Sequence, residues 1–366
     1  MNKLTKVGCS ALCGSLAAIS AASAGDLTVT GGADLTWISK GGSTTGNPIG
    51  IGSNFNMKGS GEFDNGWTYD VTTAFTNVGA YSAANITLDL GGLGKFNFNQ
   101  GNSGNGIAAI DDKMPTAWEE SWGTGLSTGV RLALGSGASQ NVMYTTPTVL
   151  GTSIAVTFAP EYGAADVNDK STADAGTHSK RSYDATININ PSLGTEILSG
   201  LNIFGGASTM EVVEQLAANA DTYEAVAGVT YDLGPISLGA QWSADYTGVD
   251  SSHTSVTTPV YNFYKNFAFG VAFNISDDLS ISYGEWKARK SGYTDSGEAD
   301  TRSPVAASNG LNQIPSGDRT IDVSSLQAAY TLGGASFRIA STKADNVAWS
   351  VGDNQEATTI SLGLAF

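Results

Sequence analysis

The stretch YNFYKNFAFGVAF, residues 261–273, puts Tyr261, Phe263, Phe267, Phe269, Val271 and Phe273 on one side of an extended chain, because successive side chains of a strand point to opposite faces. It turns at Ser276-Asp277-Asp278 into Leu279, Ile281 and Tyr283, which continue the greasy face on a second strand. The apolar run at 267–273 is seven residues, the longest after residue 24, against the ~18 to 20 that a membrane helix requires. A chain with this face either crosses a membrane as strands or stays soluble.

The same two-residue period runs outward in both directions. In DLTVTGGADLTWIS, from Asp26, Leu27, Val29, Gly31, Ala33, Leu35 and Trp37 oppose Thr28, Thr30, Gly32, Asp34 and Thr36. Ile51, Phe55, Met57 and Phe63 then share a face opposite Asn54, Asn56 and Lys58, and Asp64-Asn65-Gly66 makes a tight turn. Trp67, Tyr69, Val71 and Phe75 alternate against Asp70, Thr72 and Thr76; after an expected loop at 77–84, Ile86, Leu88 and Leu90 alternate against Thr87 and Asp89. The turn GGLG at 91–94 leads into Phe96 and Phe98 against Lys95, Asn97 and Asn99. Further strands are read near 141–146, 152–160, 183–190, 201–209, 223–231, 236–246, 326–332, 337–339 and 358–366, giving sixteen in all. A helical turn is expected over 211–220, and the longest loop over 290–319.

Residues 1–24 read as a removable export signal: Lys3 and Lys6 begin it, a mostly apolar stretch follows, and Ala22-Ser23-Ala24 offers a small-residue cleavage site. Both cysteines, Cys9 and Cys13, fall inside it, so the mature chain has neither disulfides nor thiolate ligands. Removing Lys3 and Lys6 leaves 16 cations against 34 acids, a net charge of −18, which disfavours nucleic acid and favours cationic partners. The 46 glycines suit turn-rich strands and weaken helices.

Connections fall into two alternating classes: short turns at 64, 91, 148, 191, 232, 276 and 333, and longer polar loops near 40, 80, 101, 165, 215, 250, 300 and 348. An up-and-down barrel with one tight and one loop-rich rim produces that order, whereas a sandwich has no reason to sort loop length by parity. Sixteen strands enclose too wide a space for Phe and Leu to fill. The apolar face therefore turns outward to lipid and the polar face lines water. Trp37, Trp67, Tyr69, Tyr246, Tyr261 and Phe366 suit interfacial girdles.

One segment breaks the alternation. GNSGNGIAAIDDKMPTAWEESWG, residues 101–123, sets Asp111, Asp112, Glu119 and Glu120 against the single cation Lys113. Folded into the lumen, it would form a strongly negative constriction; the alternative is a solvated surface loop. Residues 123–139 form a glycine-rich approach to the next strand that fits neither period.

The export signal, the sixteen strands, the acidic DDKMPTAWEE, the NVMYTTP strand after it and the closing SLGLAF that ends in Phe366 together make the chain resemble general porins of Gram-negative bacteria, of the alphaproteobacterial type. The resemblance spans residues 25–366 and implies a homotrimer in the bacterial outer membrane, held in outer-membrane lipid and lipopolysaccharide. It also implies a third loop that narrows each pore, and a terminal strand ending in Phe366 that the barrel-assembly machinery reads. One departure is plain: the dense arginine cluster frequent opposite that loop is missing, and the cations here are scattered.

By strand parity Lys58, Lys95 and Arg338 point into the lumen, as do the acids Asp34, Asp70 and Asp89. Opposite charges across a constriction make a transverse field, and the acid surplus favours cations; each charge could equally be one half of a wall ion pair. Enzyme chemistry finds no support. Residues 125–129, GLSTG, match a nucleophile-elbow pattern without a following helix, and the two histidines, His178 and His253, lie in loops. Zinc lacks ligands, and adjacent Asp111 and Asp112 do not flank a glycosidic bond. No cofactor is expected; calcium at the acidic loops is conceivable from oxygen donors, but no loop has regular ligand spacing. The expectation is a passive pore for ions and small hydrophilic solutes, with a substrate-selective channel or a secreted soluble β-rich enzyme or binding protein as alternatives.

Overall fold

The computed structural model describes residues 25–41, 47–77, 80–100, 104–161, 181–191, 196–211, 221–247, 263–291 and 319–365. Residues 1–24, read above as an export signal, Tyr261, Phe366, both histidines and most of the expected loops near 165, 215, 250 and 300 lie outside them. Sixteen strands run in chain order: β1 (Leu27–Gly41), β2 (Ile49–Glu62), β3 (Thr68–Thr76), β4 (Ala80–Asp89), β5 (Lys95–Gln100), β6 (Gln140–Thr145), β7 (Thr152–Ala159) and β8 (Ser182–Ile189) in one half. The other half holds β9 (Leu201–Met210), β10 (Thr222–Leu233), β11 (Ile236–Tyr246), β12 (Phe263–Asn274), β13 (Leu279–Lys290), β14 (Arg319–Leu332), β15 (Ala335–Asp345) and β16 (Gln355–Ala365). Each pairs antiparallel with its sequence neighbours, and β16 pairs back onto β1 from Gly32↔Ala365 to Gly41↔Glu356, closing a barrel. No strand edge is left unpaired.

Most outer positions are greasy: Leu35, Ile51, Phe267, Phe337, Ile339 and Ile360 are all exposed, while the inward residues Asn266 and Ala268 beside Phe267, and Thr359 and Ser361 beside Ile360, are buried. Aromatics stack across strands on that outer face, Phe55 on Phe75 at 4.7 Å and Phe158 on Tyr183 at 5.2 Å, which adds to pairing beyond area alone. Among the expected girdle residues, Trp37, Trp67 and Tyr246 are exposed on this face.

The alternation rule fails in two places, each for a physical reason. On the inner face of β9 to β14, Phe204, Val226, Trp286, Ile321 and Val323 point inward and are buried, because the loop between β5 and β6 covers them with Ile107, Met114, Leu126 and Ala133. On the outer face toward the long-loop rim, β13 to β16 carry charges in place of apolar groups, paired as Lys287–Asp322 at 3.0 Å and Lys343–Glu356 at 2.9 Å. There the strands run past the apolar band.

Two connections also differ from expectation. The loop expected at 77–84 shrinks to three residues, because β4 begins at Ala80 and pairs with β3 through a register shift at Ala74/Phe75. Its residues at 82–85 are small or polar, so the backbone ladder forms without an alternating pattern to announce it. A short helical turn, Glu196–Ser199, precedes β9, while the helical turn expected at 211–220 lies outside the described residues beyond Glu211. The wall is lowest at β5 to β8, of 6, 6, 8 and 8 residues, and the long third loop leaves from that low side.

Candidate lumenal site

The third loop is longer than the acidic segment: its described part, 104–139, goes out along the inner wall and comes back. Its two ends are joined by amides. Asn105 Nδ2 donates to Asn141 Oδ1 at 2.7 Å and to Asn97 Oδ1 at 3.0 Å, and Asn141 Nδ2 donates to the Ser139 carbonyl at 2.7 Å. Asp184 on β8 then clips both limbs. Its Oδ2 accepts the Ile107 N–H at 3.0 Å, and its Oδ1 accepts the Ser136 N–H at 3.0 Å and the Ser136 hydroxyl at 2.7 Å. Gly106 and Gly135 lie against that carboxylate with φ of 64° and 48°. A Cβ at either would meet Asp184 Oδ2, at 2.0 and 2.6 Å, so both the backbone conformation and the space demand glycine.

The outgoing limb rests on a lateral row of small residues. Gly239, Gly270, Gly284, Ser325 and Thr342 are register partners across β11 to β15. Pro115 occupies the space where Gly239 and Gly270 would carry a Cβ, and Thr124 hydrogen-bonds Thr342 and, at 3.3 Å, Ser325. Beside the row, inward polar side chains take up the loop's backbone. Gln241 accepts the Lys113 N–H at 3.1 Å and donates to the Asp111 carbonyl. Ser282 Oγ accepts the Ala117 N–H at 2.8 Å. Gln327 accepts the Trp118 and Glu119 N–H groups at 3.2 and 3.0 Å and donates to the Glu119 carbonyl at 2.6 Å. A segment without secondary structure is thereby satisfied in a confined space.

The return limb is held by charge. Arg131 Nε lies 2.7 Å from Asp245 Oδ2 on β11, with its guanidinium over the Tyr264 ring at 4.7 Å. Glu224 on β10 accepts the Gly135 N–H at 2.6 Å, and Asn266 on β12 donates to the Arg131 carbonyl at 2.8 Å.

The four loop acids have different surroundings. Asp111 is buried, and Glu120 folds back to accept the Met114 N–H at 2.9 Å. Burial pushes both carboxyls up to about 8, reinforced at each by the charge of Asp112. Asp112 and Glu119 are also raised, by burial first; at Asp112 the charge of Lys113 opposes the shift, and at Glu119 that of Arg338. Glu119 and Lys113 are the exposed charges of the outgoing limb, with Asp112 half-buried.

The six wall charges singled out by parity pair three and three. Lys58 lies 3.6 Å from Asp70, Lys95 lies 2.9 Å from Asp89, and Arg338 lies 3.2 Å from Asp34. Only Arg338 also meets the loop, with its guanidinium 5.8 Å from the Trp118 ring. Sequence reasoning passed over Asp184, Gln241, Ser282, Gln327 and the Arg131–Asp245 pair. Inward-facing glycines in mid-strand, which mark close backbone approach, were the available signal for the seat. No group of three or more His, Cys, Asp or Glu suited to a metal ion occurs among the described residues.

No protein-family model matches the chain, and no curated protein matches it. Solved structures do. OmpF of Salmonella typhi in complex with daunomycin superposes with TM-score 0.64 at 13% identity, covering 93% of this chain and 98% of that one. The trimer form of OmpT, an outer membrane protein of Vibrio cholerae, gives 0.61 at 11%, covering 93% and 99%. A variant of the Rh. blastica porin gives 0.53 at 11%, covering 93% and 100%. The shared property is the porin fold.

Two substitutions test the seat. Asp184→Ala should release both limbs, so that the Ile107 and Ser136 amides exchange at least about tenfold faster in hydrogen-exchange measurements on the folded barrel. Gly270→Val should unseat Pro115 while leaving the β11–β12 ladder intact, seen as new protease cleavage within 104–139 and none in the strands.

Proposed function

We propose that the chain forms a water-filled channel in the bacterial outer membrane, through which ions and small hydrophilic solutes diffuse passively, cations in preference. The observation that carries this reading is the pairing of a closed barrel, greasy outside and polar inside, with a third loop fastened along half of the inner wall. Sixteen strands leave room beside such a loop, and most of the loop backbone groups named above bond the wall, so the loop narrows the passage at a defined place. Because the Lys58–Asp70, Lys95–Asp89 and Arg338–Asp34 pairs largely cancel, the acids of the loop weigh most beside the passage, and among them Glu119 and Asp112 are nearest water. Asp111 and Glu120 add to it only when they lose their protons.

On this reading residues 1–24 are removed on export, Phe366 closes the strand that the assembly machinery reads, and lipopolysaccharide and lipid cover the outer belt. A homotrimer fits the same reading, as does the alphaproteobacterial porin type. No cofactor or catalytic group is required.

The pH dependence follows from the raised carboxyls. Asp111 and Glu120 are protonated below about 8 and charged above it. Seating of the loop is therefore favoured at low pH and weakens as pH rises from the ordinary carboxylate range to about 8. Cation preference should rise between pH 6 and 9 in reversal potentials across a salt gradient, and Asp111→Asn/Glu120→Gln should flatten that rise. Asp112→Asn/Glu119→Gln should lower the preference at pH 7; an unchanged ratio there would remove the loop from selectivity. On the outer belt, Ile339→Arg should cost about 2–4 kcal/mol in vesicle unfolding if that position faces hydrocarbon near mid-bilayer, against little change for an inward polar substitution.

A further inference from the structure

Arg338 is unlike the other wall cations. It lies on β15 facing both Asp34 of β1 and the loop residue Trp118, and four contacts hold it in place. Its Nη1 lies 3.2 Å from Asp34 Oδ1, and its Nε donates to Ser336 Oγ at 3.2 Å. Its outer guanidinium nitrogen lies across Gly363, where a Cβ would collide with it at 2.1 Å. The remaining face looks toward the Trp118 ring. The backbone beneath the Trp118 ring is held too, because Gln327 takes the main-chain N–H of Trp118 together with the N–H and carbonyl of Glu119. Toward the short-turn rim a recess of about 300 Å³ opens beside the Arg338–Asp34 ion pair, lined among others by Asp34, Asn54, Thr331, Ser336 and Arg338, while Trp118 approaches the guanidinium from the loop, outside that lining. Small residues at 31–33, 333–335 and 363 make up much of the rest of its wall.

Resting on the channel reading above, we infer that Asp34, Arg338 and Trp118 form a subsite for zwitterionic solutes of the amino-acid kind with a planar or apolar side chain. An ion pair closed at 3.2 Å is a fixed dipole whose charges are spaced like the ammonium and carboxylate of an α-amino acid. A zwitterion lying antiparallel to it places its carboxylate at Arg338 and its ammonium at Asp34. A simple cation gains from Asp34 and loses at Arg338; a simple anion does the reverse; a neutral sugar gains from neither charge. The fork of the guanidinium suits a carboxylate in a way a lysine would not. Trp118 supplies the second criterion, since a flat or apolar side chain can stack on its ring and leave water, whereas glycine has nothing to offer it. The guanidinium and the backbone that carries Trp118 are both fixed before the solute arrives, which lowers the ordering cost of transient binding.

The test uses the full mature chain in planar bilayers, with L-phenylalanine, glycine and glucose added singly at millimolar concentration while ion current is recorded. Phenylalanine should produce concentration-dependent current interruptions, glycine weaker ones, and glucose none. Trp118→Ala should weaken the phenylalanine effect by about three- to tenfold and leave the glycine effect in place. Asp34→Asn should reduce both, and Trp118→Phe should restore most of what Trp118→Ala removes. Absence of any current would overturn the channel reading itself. A conducting channel in which phenylalanine, glycine and glucose act alike, or in which Trp118→Ala and Asp34→Asn change nothing, would overturn the subsite and leave the channel standing.

Discussion

The return of β16 onto β1 is the constraint from which the remaining structure follows. A sheet with open edges would leave a row of unpaired N–H and C=O groups that hydrocarbon cannot satisfy; the register from Gly32↔Ala365 to Gly41↔Glu356 removes both edges at once. Closure over sixteen strands then dictates which face is which. The enclosed space is too wide to fill with side chains, so apolar residues gain nothing by pointing inward except where another part of the chain meets them. That exception is the third loop.

The loop is held mainly through its backbone. Gln241, Ser282 and Gln327 address amides and carbonyls of the outgoing limb, and Asp184 and Glu224 address amides of both limbs. Buried polar contacts of this kind stabilise modestly when made and cost more when broken, so their joint effect is a defined position for the loop. That position leaves its side chains free for other work. Glu119 and Trp118 are presented to the passage because their backbones are occupied elsewhere, while Asp111 and Glu120, adjacent in sequence to equally acidic neighbours, are spent on the loop's own packing. A count of acidic residues thus overstates the charge the lumen feels at neutral pH.

Much of the barrel was legible because strand alternation is a direct imprint of two solvents. Leu35, Ile51, Phe267, Phe337 and Ile360 announce the outer face, and the same parity put Asp34, Asp70, Asp89, Lys58, Lys95 and Arg338 on the opposite one, where the structure pairs them. The pattern was silent wherever a third environment intervenes. Trp286, Ile321 and Val323 point inward since the loop shields them, and Lys287 and Lys343 point outward since their strands outrun the apolar band. The limb at 124–139 has no period at all; its contacts are made largely by Thr124, Arg131 and Ser136 one at a time, and its partners on β8, β10, β11, β12, β14, β15 and β16 are distant in sequence. Even so, the glycines at 239, 270 and 284 carried a usable hint, being strand residues with no side chain on a face where something had to come close.

The account stands on the third loop lying inside the barrel with an open passage beside it. Residues 25–366 contain no cysteine, so a pair placed at the contact between the Ala117 N–H and Ser282 Oγ, 2.8 Å apart, reports on that placement directly. Ala117→Cys/Ser282→Cys should close a disulfide in the folded barrel under mild oxidation, and conductance should be the same before and after the bond forms. Failure of the two thiols to join in folded protein, or joining that shuts the channel, would contradict it.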